Sequence, residues 1–256
     1  MPDVYYAPIL THDPVTGENQ KPVLVPMLLP SEMIDWHITT GRVNLGDING
    51  ENLDRSSGAY TSFSKFCSDH DLDKNKTIPV GLHGDGVPFA NMQSVEAFTF
   101  NYTVNKDSER TLISCLENKF HCACGCKGRC TMDSFLLVVV WDFLNMLCGA
   151  RASSRHDKSD WTPHDRKCKR HMSDRPLGFF AKLCEIRGDW MFFKGLFSLM
   201  GWASHMICWK CMATHADGEM PFTDFSRNSL LASVQAFHSN IFAMSSPKSQ
   251  SSITVI

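Results

Sequence analysis

Hydrophobic and polar positions change their period along the chain, and each change predicts an element. Thr77 to Leu82 reads as one strand, and Ser94 to Val104 alternates on a period near two with β-branched and aromatic residues enriched, so a hairpin or short meander is expected over 77–104. From Thr131 the pattern turns helical. Thr131 is suited to the N-cap, Asp133 to the positive helix end, and Gly149 to an αL stop. Between them Phe135 to Leu147 is apolar on nearly every face and predicts a centrally buried helix, with the valine triplet 138–140 leaving a strand as the alternative. Pro176 suits the first turn of a helix over Leu177 to Arg187 ended by Gly188, and Asp189 can cap a further helix from Trp190 to Met200.

Residues 1–76 lack such periodicity. Turn clusters at 13–19 and 47–52 predict an irregular lead-in, and Lys21 to Pro30, broken by prolines, predicts an extended segment packed on the core rather than inside a sheet. Residues 245–256 form a polar, serine-rich tail, and no internal repeat is present. The expected organisation is a lead-in over 1–76, a core over 77–244, and a disordered tail over 245–256.

Composition narrows the partners. With 256 residues and 43% hydrophobic content the chain can bury a sizeable core. A formal charge of -2 predicts no global attraction to nucleic acid or anionic membrane, so nucleic-acid contact requires a local patch. The N-terminal residues show neither a basic stretch nor an apolar core of a secretory signal, which predicts an intracellular protein. Its 11 cysteines then point to thiols or metal ligands rather than a disulfide frame. The longest apolar run, 135–147, is interrupted by Asp142 and Asn145 and is too short to span a bilayer.

Several constellations carry chemistry. Asp85, between Gly84 and Gly86 after an apolar run, is placed either as a turn residue or as a carboxylate facing a cleft where a metal can approach. Asp189 also follows a glycine; it is either a helix cap or the second carboxylate of a Mg²⁺ or Mn²⁺ site for phosphodiester chemistry. His205, Cys208, Cys211 and His215 have the H-x₂-C-x₂-C-x₃-H spacing of a tetrahedral zinc site. Cys122, Cys124, Cys126 and Cys130 form a denser cluster, read as a zinc site or as a reduced turn with reactive thiols, although Cys-x-Cys pairs chelate one zinc less comfortably than Cys-x₂-Cys. Residues 151–175 hold a modest excess of lysine and arginine, diluted by aspartates 157, 160, 165 and 174; the segment is a solvated loop or a phosphate contact. No Walker loop, G-x-G-x-x-G after a strand, H-E-x-x-H or G-x-S-x-G is present.

In order, Asp85-Gly-Val-Pro-Phe89, then Asp189, then Cys208-Trp-Lys-Cys211 resembles the catalytic core of CACTA (En/Spm)-type transposases, and the wording is similar to transposon-derived reading frames of dinoflagellate algae. The resemblance covers roughly residues 77–215. It implies an RNase H-like core, a mixed sheet with flanking helices, carrying a Cys-rich insert at 121–130, a basic loop at 151–175 and a CxxC element at 205–215. It further implies Asp85 and Asp189 as carboxylates for Mg²⁺ or Mn²⁺, structural zinc on the cysteines, DNA as partner, no membrane, oligomeric assembly and a nuclear location. In that family a third acidic residue, usually Glu on a later helix, completes the site. Here about 45 residues follow Cys211, and Glu219 and Asp224 lie too close to the cysteine pair to serve. The expectation is therefore a truncated or degenerate transposase; the alternative is a non-catalytic, zinc-stabilised binding module for nucleic acid or protein.

Overall fold

A computed structural model describes residues 2–90, 93–104, 109–163, 165, 175–188 and 192. The chain divides into a unit over 1–189 and a unit over 190–256. The order of elements in the first unit is β1 (Tyr5–Thr11), β2 (Lys21–Met27), α1 (Pro30–Thr39), α2 (Leu45–Ile48), α3 (Gly58–Asp69), β3 (Thr77–Ala90), β4 (Gln93–Tyr102), β5 (Thr111–Glu117), α4 (Arg129–Leu147) and β6 (Phe180–Gly188). β1 and β2 form a two-stranded sheet, and the other strands form a mixed four-stranded sheet in the order β5-β4-β3-β6. β4 is antiparallel to β3 and β5, whereas β6 returns parallel to β3 after α4. A parallel return needs a long crossover, which α4 supplies. The expected mixed α/β fold and the β3–β4 hairpin are both present.

The side-chain alternation of β3 divides the sheet into two faces. Ile78, Val80 and Leu82 are buried on one face, and cross-strand Phe100 and Tyr102 of β4 join them. α4 covers this face, its Phe135 ring lying 4.1 Å, centroid to centroid, from Phe98 of β4. The opposite face is covered in part by α3, where Leu53, Phe63 and Cys67 form a smaller buried cluster.

The valine triplet thus lies in a helix. α4 begins after Gly128, at φ 85°, and stops before Gly149, at φ 64°, the αL stop the sequence predicts. Thr131 sits inside the first turn rather than at the N-cap. Among the described residues α4 is the one helix long and apolar enough, by length and composition, to cross a membrane. In this fold Met132, Phe135, Val138, Val139, Phe143 and Met146 pack into the core. Asp142 has a structural reason to interrupt that surface: its carboxylate accepts from the Ser31 backbone N–H at 2.9 Å and from the Ser31 hydroxyl at 2.5 Å. The N-cap residue of α1, Leu29, has no side-chain acceptor of its own, so a neighbouring helix caps α1.

Residues 1–76 are more regular than turn clusters and prolines predict. β1 buries Tyr5, Ala7 and Ile9, and β2 lies inside a sheet rather than beside it. Register explains why the prolines are tolerated. The pairs Tyr6↔Pro26, Pro8↔Leu24 and Leu10↔Pro22 alternate with those that exchange ladder bonds, so each proline occupies a position whose missing N–H would have pointed outward. The outward groups are satisfied by side chains: Leu10 N–H donates to Ser134 Oγ at 3.0 Å, Leu10 C=O accepts from Thr131 at 2.6 Å, and Tyr6 C=O accepts from Arg155 at 2.8 Å.

The segment expected as a helix over Leu177 to Arg187 is instead strand β6. The register shift between Val80 and Gly81 displaces the alternation of β6 by one residue, so Ala181 and Leu183, then Ile186, stand level with Ile78, Val80 and Leu82. The resulting spacing of apolar residues imitates a helical stripe. The helix expected from Trp190 to Met200 lies outside the described residues.

Asp142→Ala leaves the Ser31 N–H and hydroxyl without this acceptor in the interior and is expected to lower stability by about 1–3 kcal/mol in urea unfolding. Gly50→Ala places a Cβ 2.0 Å from Cε1 of fully buried Phe63 and is expected to cost about 1–3 kcal/mol or more, measured in the same way.

Candidate functional site

The connection from β5 to α4 brings Cys122, Cys124, Cys126 and Cys130 together. Their sulfur atoms all lie within 4.8 Å of one another, making a group able to hold a metal ion such as zinc. Bonds of about 2.3 Å in a tetrahedral Zn–thiolate site set sulfur–sulfur edges of about 3.8 Å. Cys124 and Cys130 are already 3.8 Å apart, and closing the widest pair takes about an ångström.

Backbone geometry relieves the tight Cys-x-Cys spacing. Gly125 at φ 93°, Lys127 at φ 55° and Gly128 at φ 85° turn the chain back on itself. At Gly128 a Cβ would also be crowded, lying 3.1 Å from His121 Nδ1. Gly128 N–H donates to Cys122 C=O at 3.1 Å, and Cys122 N–H donates to Thr131 Oγ1 at 2.8 Å, closing the loop onto the first turn of α4. Cys130 sits in that first turn.

The β1–β2 hairpin supplies the rest of the surroundings. Asn19 Oδ1 accepts from Ala123 N–H at 2.8 Å, and Gln20 Nε2 donates to Cys124 Sγ at 3.5 Å and Cys130 Sγ at 3.6 Å. Neither residue could be assigned to the site by local spacing, because each acts across a hundred residues of chain. His121 lies beside the group with Nε2 3.7 Å from Glu96, and burial lowers its pKa, favouring the neutral imidazole.

Thiol ionisation is unequal. Hydrogen bonding from the Cys122 thiol pulls Cys124 down to about 6, whereas burial raises Cys122 and pushes Cys130 up to about 12. At neutral pH Cys124 is therefore the ready thiolate, and a cation between the sulfurs would favour ionising Cys122 and Cys130 as well. A soft, borderline divalent cation suits four sulfur donors; a hard cation such as Mg²⁺ does not.

Asp85 occupies a separate place. It is half-buried on β3, on the face opposite α4, opposite Ala97 of β4. The strand continues beyond it to Ala90, so Asp85 does not end β3. Among the described residues the last pair of the parallel pairing with β6 is Gly84↔Gly188. On the same face His83 Nδ1 is 3.3 Å from Arg110 Nη1, and Arg187 stands level with His83. Burial and the Arg110 guanidinium lower the His83 pKa, leaving a neutral imidazole beside two arginines. A Cβ at Gly86 would meet nothing within 4 Å, and alternation places that open space on the face away from Asp85.

Asp189, His205, Cys208, Cys211 and His215 lie outside the described residues. In the expected basic loop, described in part, two guanidiniums are committed to carboxylates. Arg151 pairs with Asp35 at 2.8 Å, and Arg155 Nη1 donates to both carboxylate oxygens of Asp165, at 2.6 and 2.8 Å. Arg155 also lies 4.8 Å over the Tyr5 ring, so these residues pin the segment to β1.

Zinc titration of metal-free protein is expected to protect Cys122, Cys124, Cys126 and Cys130 from alkylation together. Without metal at pH 7, iodoacetamide should modify Cys124 about tenfold or more faster than Cys130, and the Cys124 rate should fall as pH drops through about 6, followed by mass spectrometry of tryptic peptides. Equal rates at the two thiols would contradict the assignment.

Compared with known proteins, the chain matches no family model, no curated protein and no solved structure, so the four-sulfur group and the half-buried Asp85 are the observations from which function is argued.

Proposed function

We propose that the chain is a transposase-derived protein whose RNase H-like core performs metal-dependent cleavage or transfer of DNA strands, with zinc as a structural ion on its cysteines. One observation carries the reading: beyond the bulge at Val80/Gly81 the two parallel strands pair, among the described residues, as far as Gly84↔Gly188, and in the sequence each of these glycines is followed by an aspartate, Asp85 and Asp189. Carboxylates following adjacent strand positions are suited to share Mg²⁺ or Mn²⁺, which activates a hydroxyl nucleophile and stabilises the leaving oxygen.

The topology supports the same reading. A mixed four-stranded sheet in the order β5-β4-β3-β6, with β6 parallel to β3 after α4, agrees with the mixed sheet and flanking helices that the resemblance implies. Arg110 and Arg187, on the Asp85 face, offer cations for phosphate oxygens. Neither nearby glutamate is a third metal ligand in this arrangement. Glu185 stands opposite Gly81, about 13 Å back along the strand direction from Asp85. Glu96 pairs with Gly86 and therefore belongs to the other face.

The four-sulfur group favours a second reading, a zinc-stabilised binding module without catalysis. One experiment separates the two. Under the first, Mn²⁺-dependent nicking of supercoiled DNA falls about a hundredfold or more in Asp85→Asn and in Asp189→Asn, with thermal unfolding unchanged. Nicking that persists in both variants overturns it. DNA binding without nicking, lost on chelation of zinc, supports the module.

A further inference from the structure

The four sulfurs between β5 and α4 differ in what they touch. Cys122 is buried with its thiol 4.0 Å from Asn19 Oδ1, and the Cys126 thiol donates to Cys122 C=O at 3.4 Å. Cys124 and Cys130 instead stand 3.8 Å from one another, and one side-chain amide, Gln20 Nε2, donates to both sulfurs. Cys124 is exposed and Cys130 is half-buried, and all the described cysteines are free thiols.

A disulfide holds its sulfurs about 2.05 Å apart, so this pair has about 1.75 Å to close. The chain between them has room for that movement. Residues 125–129 separate the two cysteines; Gly125 and Gly128 hold φ at 93° and 85°, and a Cβ at Gly125 would meet nothing within 4 Å. Other bridges are placed less well. Cys122–Cys124 and Cys124–Cys126 would each close over a single residue, Cys122 is shielded from solvent, and the Cys126 thiol is turned to a backbone carbonyl. An exposed thiol with a second thiol beside it is the arrangement of a redox-sensing pair, in which the first sulfur is oxidised and the second resolves it.

We propose that Cys124 and Cys130 are a peroxide-oxidised pair whose disulfide empties the four-sulfur site of its ion. The Cys124 thiolate attacks one oxygen of hydrogen peroxide; the O–O bond breaks, a sulfenic acid forms, and the departing hydroxide takes up a proton to become water. The Cys130 sulfur then attacks the Cys124 sulfur. The S–S bond forms as the S–O bond breaks, and this second hydroxide leaves as water with the Cys130 proton. Two electrons pass from the sulfurs to the peroxide, which ends as two waters. The disulfide withdraws two of the four donors, so a tetrahedral ion loses half of its protein ligands. Release of metal rests on the zinc reading of this group, whereas formation of the disulfide does not.

The test uses the full-length chain, reduced and then treated with hydrogen peroxide in zinc-free and zinc-loaded form. Tandem mass spectrometry of digests locates the disulfide, dimedone traps sulfenic acid, and a chromogenic chelator follows zinc. The expected result is a Cys124–Cys130 bridge about tenfold or more above any other pairing within the group, and zinc affinity about a hundredfold or more lower after oxidation, both reversed by dithiothreitol. Cys130→Ser removes the resolving sulfur and should raise dimedone labelling of Cys124 about tenfold over the parent, with thermal unfolding of the zinc-free variant near that of the parent. A bridge mapped mainly to another pair, dimedone labelling unchanged by Cys130→Ser, or zinc affinity unchanged by the bridge would overturn the proposal. Reduced protein that takes up no zinc overturns the metal reading, and the redox pair is then decided by the disulfide map of the zinc-free chain.

Discussion

Helix α4 is apolar on nearly every side, and the described fold is largely arranged to cover it. The sheet takes one flank through Phe98 and Phe135. β1 runs along another, where Ser134 and Thr131 satisfy the backbone of Leu10 and Tyr5 stacks on Trp141. α1 takes a third, tied by the Asp142–Ser31 bonds. An apolar helix requires cover because exposed surface of this kind costs about 25 cal/mol per Å². Coverage among the described residues is incomplete: Leu137, Val140 and Leu144 stay more than half exposed in a stripe at helical spacing.

Thr131 shows how closely the metal group is bound to that packing. Fully buried, its hydroxyl accepts from Cys122 N–H and donates to Leu10 C=O, linking the cysteine loop, α4 and β1 through one side chain. Asn19 and Gln20 extend the link from the hairpin turn. An ion held by the four sulfurs therefore fixes the short loop 122–130, while the side chains of Thr131, Asn19 and Gln20 carry the link to segments far away in sequence.

Chemistry is divided between the two faces of the sheet. The sulfur group belongs to the α4 side, and Asp85 with His83, Arg110 and Arg187 belongs to the other. Alternation along β3 enforces this separation: residue 84 and residue 85 necessarily point to opposite sides. The sites can thus vary without disturbing one another's supports.

The sequence by itself determined the elements whose signal is local. The β3–β4 alternation, the long apolar helix, the αL stop at Gly149 and the clustering of four cysteines are legible because period, glycine geometry and short spacing act within a few residues, whereas the central burial expected of that helix is not met, its Leu137, Val140 and Leu144 being exposed. Only the tertiary structure decided the rest. β6 reads as a helix until its bulge against β3 is known, and the proline-rich β2 reads as a lead-in until its register sends each missing N–H outward. Asp142 looks like an interruption until Ser31 of another helix arrives beneath it, and Asn19 and Gln20 give no sign of meeting the cysteines. In each case the deciding contact lies far along the chain, where its energy is set by packing rather than by the residue's neighbours.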